Sequence, residues 1–221
     1  MIRPLAERLA VRVLSVAKAP LGRARFHKAV AHCEGLMLAI GCGQTQLSGW
    51  LCTDISWRAR YYLDVLTPWP LQPGSVSRVY GDNMIEHFKF DQAREVLISS
   101  HKALAPGGRI RLATPDVGRI AHMYLHDPVL TEEVLARHRR VGYLAPNPVD
   151  ILRVTFCESG HHLGYLFDFA SLDALLREVG FGSIIRCEVG QSLDGSFVGL
   201  ESRTGKAEAA TMLVVEATKV R

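Results

Sequence analysis

Two glycines and an aspartate have the spacing of a nucleoside-binding site. Gly41 and Gly43 follow an apolar run at residues 36–40. This run predicts a buried parallel strand that ends in a loop whose main chain a ligand can approach closely. Asp54 closes a second apolar run at residues 50–53, where its carboxylate could accept hydrogen bonds from two ribose hydroxyls. A plain glycine turn after a core strand is the alternative interpretation.

The spacing of the glycines also indicates which nucleoside fits. A dinucleotide fingerprint needs a third glycine three residues after the second, for close packing of the helix whose amino end holds the pyrophosphate. Gln46 occupies that position here. The pattern therefore disfavours NAD and suits a nucleoside ligand without phosphate.

A second group of residues could move a proton. Glu86, His87, His161 and His162 are candidates for a general base, since an imidazole titrates near physiological pH. For His87 the alternative is a pair with Glu86 that organises the start of a helix, and for His162 it is a core or supporting position. A metal site of His161 and His162 with Glu158 is disfavoured because adjacent histidines point apart, and we expect no metal.

The elements that must position these residues alternate between strand and helix patterns, as in an α/β sheet. Strands are predicted at residues 36–40, 50–53, 61–65, 76–80, 109–113, 183–189 and 212–217, and helices at 4–17, 91–104 and from the N-cap Ser171 to Gly180. Pro20, Leu21 and Gly22 are predicted to break the first helix. The connection between the first two strands is too short for a full crossover helix, so it is a turn or two of helix or irregular.

Several motifs follow one another in order along the chain. They are Gly41-Cys42-Gly43, Asp54, Asp64-Val65, Ile85-Glu86-His87 after the fourth strand, and Leu104-Ala105-Pro106-Gly107-Gly108 before the fifth. In this order they resemble the motifs of class I S-adenosylmethionine-dependent methyltransferases. The last two resemble the family's "Leu-Glu-His" and "Leu-x-Pro-Gly-Gly". The stretch from Gly49-Trp50 to Asp54 is similar to predicted methyltransferases of bacterial polysaccharide-type pathways.

The resemblance implies a fold, a cofactor and site residues. The fold is a Rossmann-like α/β sheet of seven mostly parallel strands with an antiparallel last strand and helices on both faces. The cofactor is S-adenosyl-L-methionine, with S-adenosyl-L-homocysteine as product. The implied cofactor-binding residues are Gly41, Cys42, Gly43, Asp54, Ile55, Asp64, Val65 and Asn83, and the implied catalytic residues are His87, His162 and Glu86. Ala39 departs from the acidic or amide residue of many relatives, which puts one contact to the loop and cofactor in question.

The 221 residues are expected to form one domain. It comprises a basic helical leader at 1–32, a cofactor-binding core at 36–116, a lid or acceptor-binding insertion at 117–160 and the rest of the sheet at 161–221. The leader carries much of the net charge of +4, which suits a solvated helix face or peripheral contact with an anionic membrane. Its apolar stripe favours a homodimer.

The expected activity is methylation of a sugar hydroxyl in bacterial polysaccharide or cell-envelope metabolism, with a small molecule or glycan as acceptor. A lipid-like or natural-product acceptor is the alternative, and it predicts an apolar lid of Met123, Tyr124, Leu125, Leu144 and Phe156. An RNA methyltransferase, suggested by the basic run at 137–140, is disfavoured because the Asn-Pro-Pro-aromatic signature of base methylation is absent from the sequence. A non-catalytic relative is the remaining alternative.

The sequence also suggests a compartment. It contains no apolar run of about 20 residues and no signal-peptide core at residues 1–18, and its five unclustered cysteines fit reduced thiols. We therefore expect a cytoplasmic protein.

Overall fold

A computed structural model describes residues 5–31, 33–158, 161–201, 203 and 205–220, with side chains from Lys18 onward. Its described part contains one sheet of seven strands in the order β3-β2-β1-β4-β5-β7-β6. The strands are β1 (Leu36–Ile40), β2 (Leu51–Asp54), β3 (Tyr61–Tyr62), β4 (Val76–Asp82), β5 (Leu104–Pro115), β6 (Phe181–Cys187) and β7 (Met212–Lys219). Strands β1 to β5 pair in parallel, and β7 runs antiparallel to both β5 and β6. The predicted fold class is confirmed.

Seven α-helices accompany the sheet in the described residues. They are α1 (Leu5–Val30), α2 (Phe90–Ala103), α3 (Val117–His126), α4 (Pro128–Arg140), α5 (Asp150–Cys157), α6 (Phe169–Val179) and α7 (Lys206–Ala210). Two short 3-10 helices lie at Ile85–His87 and His161–Leu163. Among the described residues, no helix is both long and apolar enough to cross a membrane.

The two faces of the sheet are buried by different partners because side chains alternate along a strand. Leu38 and Ile40 of β1 belong to the main core, which also contains Ala93 and Leu97 of α2 and Leu172 of α6. On the opposite face, the intervening residue Ala39 packs in a separate cluster with Cys52, Tyr80 and Phe197. Strand β1 is therefore covered on both sides, and its Leu38, Ala39 and Ile40 are at most 1% exposed.

The second face of the sheet is covered by residues that are distant from β1 in sequence. Residues 41–50, all of which the structure describes, contain no helix between β1 and β2, so the connection is irregular. In place of a first crossover helix, residues 190–201 between β6 and β7, here called the covering segment, lie against this face. Phe197 of this segment is fully buried and packs against Trp50 with ring centroids 5.8 Å apart. Asp194 in the same segment binds Arg78 of β4 at 2.6 Å.

Four predicted boundaries were wrong for physical reasons that the structure supplies. Helix α1 continues through Pro20, and Gly22 on it lies so close to β3 that a Cβ there would be 2.8 Å from the Cβ of Tyr62. Strand β3 ends at Tyr62, and Asp64 lies in the turn that follows, where Leu66 donates a backbone hydrogen bond to its carboxylate at 3.1 Å.

The other two corrections concern β5 and α6. Strand β5 begins directly after α2, at Leu104, instead of at the predicted residue 109, and it bulges against β4 between Leu104 and Arg109. Pro106-Gly107-Gly108, which stands between the predicted helix and strand, therefore lies inside the strand. The N-cap of α6 is Asp168, whose carboxylate accepts the Ser171 backbone N–H at 2.8 Å, while the Ser171 hydroxyl accepts the Asp168 backbone N–H. Ser171 is thus the third helical residue of a capping box.

Helices α3, α4 and α5 form the insertion after β5 and have a core of their own. Ile120 and Met123 of α3 pack with Val134 and Leu135 of α4 and with Ile151 of α5. The insertion is thus a packed group of helices beside the sheet.

Candidate active site

The candidate site lies where the sheet topology reverses direction. From β1 the chain runs outward through β2 and β3, and then returns to the other side of β1 as β4. The connections after β1 and β4 therefore diverge, and a crevice forms at the carboxyl ends of these strands, the usual ligand site of open α/β sheets. Gly41 directly follows β1, Asp54 ends β2, and Asn83 directly follows β4. Three residues predicted for the cofactor thus lie at the carboxyl ends of three adjacent strands.

The glycine loop has the left-handed backbone that glycine permits. Gly41 has φ of 68° and Gly43 has φ of 57°. A Cβ on Gly41 would lie 2.4 Å from Cγ of Met84, whereas a Cβ on Gly43 would meet no described atom within 4 Å. Gly41 is therefore required for packing, and Gly43 borders open space that a ligand can enter.

Asp54 joins the glycine loop to the end of β2. The Gly43 backbone N–H donates to Asp54 Oδ2 at 2.8 Å, and the Ser56 backbone N–H donates to Oδ1 at 2.7 Å. A carboxylate oxygen has two lone pairs, so each oxygen keeps one acceptor position beyond these bonds. Ile55, the next residue, has an apolar side chain that is 57% exposed. Asp54 can therefore hold the loop and still accept hydroxyls.

Asp64 and Val65, two of the residues predicted to bind the cofactor, do not line the glycine-loop cavity. Asp64 lines a cavity of about 240 Å³ with Arg23 and His27 of α1. Val65 is buried, and its carbonyl accepts the Trp69 indole N–H at 3.1 Å. The cavity beneath the glycine loop is smaller, about 80 Å³. The structure thus places Asp64 beside the leader helix.

Two thiols lie next to each other at the loop. Cys42 in the loop and Cys52 on β2 share a hydrogen bond, which is the largest cause of the pKa shift of each thiol. It raises the pKa of Cys42 and lowers the pKa of Cys52 to about 6. The Leu47 backbone N–H also donates to Cys52 Sγ at 3.2 Å. All five cysteines of the chain are free.

At the end of β4 the structure adds residues that sequence reasoning did not place in the site. Asp82 binds Arg203 through both guanidinium nitrogens, with Nη1 to Oδ2 at 2.9 Å, and also accepts the Tyr80 hydroxyl at 3.2 Å. Leu200 of the covering segment lines the glycine-loop cavity with Asp82. Asp82 ends β4, three residues before the motif Ile85-Glu86-His87. Arg203 and Leu200 lie in a stretch without any motif.

Asn83 has an unusual backbone at the mouth of the crevice. Its φ is 48°, in the left-handed region where few residues other than glycine are found. Its N–H donates to the Ala113 carbonyl at 2.9 Å, which fixes the turn against β5. The side chain is exposed, so it is available to a ligand.

Of the four candidate bases, the structure brings three together and leaves one apart. Glu86 is fully buried, which raises its carboxyl pKa to about 7, and it accepts the Thr114 hydroxyl at 3.1 Å. The adjacent His87 is at the surface, although partial desolvation lowers its imidazole pKa. His161, from the second 3-10 helix, has its ring centroid 5.0 Å from that of His87. His162 is exposed.

A larger cavity lies between the insertion and the end of β5. It measures about 650 Å³ and is lined by charged, polar and apolar residues, among them Asp116, Arg119, His122, Met123, Asp168 and Arg186. Of the predicted apolar lid, Met123 and Phe156 pack into the core of the insertion. Leu125 and Leu144 are 67% and 79% exposed.

Comparison with solved structures identifies the fold. CurJ carbon methyltransferase superposes with a TM-score of 0.50 at 13% identity, over 94% of this chain and 54% of that one. The S-adenosylmethionine-dependent methyltransferase SibL gives 0.50 at 14% identity, over 94% and 56%. The fold is that of class I methyltransferases.

A methyltransferase from Thermotoga maritima, described as a possible histamine N-methyltransferase, gives a TM-score of 0.49 at 17% identity, over 92% of this chain and 91% of that one. The chain spans about half the length of the first two methyltransferases. No protein-family model and no curated protein sequence matches it. The methyltransferase likeness therefore concerns the fold.

Proposed function

We propose that this protein is an S-adenosylmethionine-dependent methyltransferase. The observation that carries the proposal is the junction of Asp54 with the Gly41–Gly43 loop at the reversal point of a methyltransferase-type sheet. In such sheets ligands bind outside the carboxyl ends of the strands, which is where this junction lies.

The described residues fit a nucleoside cofactor at its ribose end. Asp54 keeps one acceptor position on each carboxylate oxygen, enough for the two hydroxyls of a ribose. The exposed side chain of Ile55 offers an apolar surface next to Asp54, and the space beside the main chain of Gly43 is open to a ligand. Ala39 is buried in one cluster with Tyr80 and Phe197, so a carboxylate at this position would be buried among aromatic side chains. Alanine fits that packing.

The bound cofactor would supply a methyl group on a sulfonium sulfur, which is transferred in line to a nucleophile. The protein then has to orient the acceptor and exclude water. Asn83 lies at the carboxyl end of β4 with an exposed side chain, and it is the residue proposed to contact the acceptor or the reacting end of the cofactor. Glu86, His87 and His162 are the proposed candidates for a base.

The proposed acceptor is a sugar hydroxyl in bacterial polysaccharide or cell-envelope metabolism, within the cytoplasm. The 650 Å³ cavity supports this choice, because Arg119, His122 and Asp168 offer donors and acceptors for a polyol. A lipid-like acceptor is the second candidate, and the exposed Leu125 and Leu144 of the insertion favour it.

A transfer assay separates these acceptors. The full chain is incubated with cofactor labelled in its methyl group, together with sugar acceptors or with phenolic and lipid-like acceptors. Label on a sugar hydroxyl, with a higher KM in Arg119→Gln and no change in Leu144→Ser, is the expected result. Label on lipid-like acceptors alone, lost in Leu144→Ser, would overturn the sugar assignment. Absence of transfer to every acceptor, together with no cofactor binding, would overturn the methyltransferase assignment.

A further inference from the structure

Glu86, His87 and His161 come together although 74 residues separate the last two in sequence. A carboxylate oxygen of Glu86 and one ring nitrogen of each histidine all lie within 4.8 Å of one another. His161 Nε2 is 3.9 Å from Glu86 Oε1. These three residues are called here the Glu-His-His cluster.

The backbone holds the two halves of the cluster in place. Tyr165 donates its N–H to the Phe88 carbonyl at 2.8 Å. A Cβ on Gly164 would lie 1.8 Å from the Glu86 carbonyl oxygen, so only glycine permits this approach. The turn that carries His161 is therefore packed directly on the turn that carries Glu86 and His87.

Two side chains of the cluster are each held by a neighbour at one polar atom. His161 Nδ1 lies 2.5 Å from the Thr155 carbonyl. A carbonyl can only accept, so Nδ1 carries the proton and Nε2 keeps its lone pair. Glu86 Oε2 accepts the Thr114 hydroxyl.

This arrangement leaves one atom without a partner. Glu86 Oε1 is buried and has no hydrogen-bond partner among the described residues. Buried polar atoms in folded proteins are nearly always paired, and an exception calls for an explanation such as an ion. His161 Nε2, which keeps its lone pair, lies 3.9 Å from Glu86 Oε1, too far for a hydrogen bond.

We propose that Glu86, His87 and His161 bind one divalent first-row transition-metal ion of the zinc or cobalt type. Two imidazoles and a carboxylate are a donor set for such ions, whereas Mg²⁺ and Ca²⁺ prefer oxygen ligands. Metal-bound histidines characteristically donate their second ring N–H to a carbonyl or carboxylate, as His161 does here. Ligand atoms about 2.0–2.2 Å from a tetrahedral ion lie about 3.3–3.6 Å apart, so side-chain rotations would have to draw these atoms, now within 4.8 Å of one another, closer together to close the site.

Three protein ligands leave room for an exogenous one. Catalytic zinc sites have three protein ligands and an open position, whereas structural sites are closed by four. His87 is exposed, so water or a ligand oxygen can reach the ion. Asn83 precedes Glu86 by three residues, which places the cluster next to the mouth of the crevice. A role in catalysis rests on the proposed function: the ion would bind the acceptor hydroxyl and lower its pKa, and His87 would be a ligand instead of a base.

The test measures metal binding without cofactor or acceptor, so its outcome is independent of methyl transfer. Full-length protein is stripped with a chelator and titrated with CoCl₂, followed by visible d–d absorption, and with ZnCl₂ by calorimetry. One site per chain is expected. His87→Ala, a surface change, and Glu86→Gln, which keeps the shape, should each weaken binding by more than about 100-fold, since supporting residues alone contribute about 10–100-fold.

A matched control comes from the next histidine. His162→Ala removes an exposed imidazole beside the cluster and should leave the affinity and the cobalt spectrum unchanged, while circular dichroism checks that every variant is folded. Thr114→Val, which removes the hydroxyl bonded to Glu86, should weaken binding about 10–100-fold. The proposal is overturned if the wild type binds Co²⁺ no better than His87→Ala does, or if His162→Ala loses as much affinity as His87→Ala.

Discussion

At the scale of single residues, Gly41 and Gly43 share a left-handed backbone but differ in their surroundings. Gly41 touches Met84, whereas Gly43 faces open space. Gly41 is therefore needed for packing against Met84, whereas Gly43 leaves the main chain accessible to a ligand. The Gly43 backbone N–H donates a hydrogen bond to the Asp54 carboxylate, which fixes the glycine loop beside Asp54.

This difference predicts unequal effects of alanine at the two positions. Gly43→Ala adds backbone strain of about 1–2 kcal/mol. Gly41→Ala adds similar strain and also forces Met84 to move, which costs about 1–3 kcal/mol more. The free energy of unfolding, measured by urea denaturation, should therefore fall further in Gly41→Ala. An equal or larger loss in Gly43→Ala would contradict the assigned roles.

The residues at this loop could be predicted from sequence because their signals are local. An apolar run, two glycines and an aspartate at the next strand end are sufficient to place Gly41, Gly43 and Asp54. The proximity of Glu86 to His161 could not be predicted, because it depends on how two distant turns pack. A site of His161 and His162 with Glu158 was disfavoured from the sequence because adjacent histidines point apart, and His162 is exposed in the short 3-10 helix.

At the scale of elements, the covering segment takes the place of a helix between β1 and β2. Phe197 is its anchor, with no exposed surface, and Asp194 and Glu201 attach it to arginines on β4 and β5. Glu201 binds Arg111 of β5 with both side chains fully buried. The sequence predicted only a long loop here, since nothing local to residues 190–201 indicates which face it covers.

Removal of the anchor should therefore destabilise the whole fold. Phe197→Ala is expected to lower the free energy of unfolding by about 3–5 kcal/mol, as for other buried aromatic residues. Leu193→Ala, in the same segment at 92% exposure, should change it by no more than about 0.5 kcal/mol. Urea denaturation measures both. Equal effects of the two substitutions would mean that the segment does not cover the sheet.

The insertion helices contain a buried histidine whose charge opposes folding. Burial, with Arg137 and Arg153 nearby, lowers the pKa of His138 from 6.5 to about 4. The unfolded chain then binds more protons than the folded one between these values, so stability rises with pH across this window. A pKa that differs by one between the folded and unfolded chain corresponds to about 1.4 kcal/mol. Wild-type protein should therefore lose up to about 3 kcal/mol from pH 7 to pH 4 through this residue.

The contribution of His138 is isolated by comparison with His138→Gln. The difference in unfolding free energy between the two proteins, measured by urea denaturation at several pH values, should shift in favour of the variant as the pH falls from 6.5 to about 4. A difference that stays constant over this range would contradict the assignment.

At the scale of the whole molecule, the order of motifs predicted the sheet, and the structure confirms its seven strands and antiparallel end. The details that were wrong depend on tertiary packing. Helix α1 runs through Pro20 while Gly22 packs on β3, and Asp64 lies in a turn beside α1 instead of at a strand end. Local propensity was overridden where elements distant in sequence meet.

Binding of a methyl-donor nucleoside by the glycine loop and Asp54 is tested most directly by calorimetric titration with S-adenosyl-L-homocysteine. Wild-type protein should bind it saturably at one site, and Asp54→Asn should bind it about 100-fold more weakly, because two hydrogen bonds to a charged acceptor are altered. The control Asp173→Asn breaks only a surface pair with Arg177 and should bind as the wild type does. No saturable binding by the wild type, or undiminished binding by Asp54→Asn, would contradict the assignment of this site.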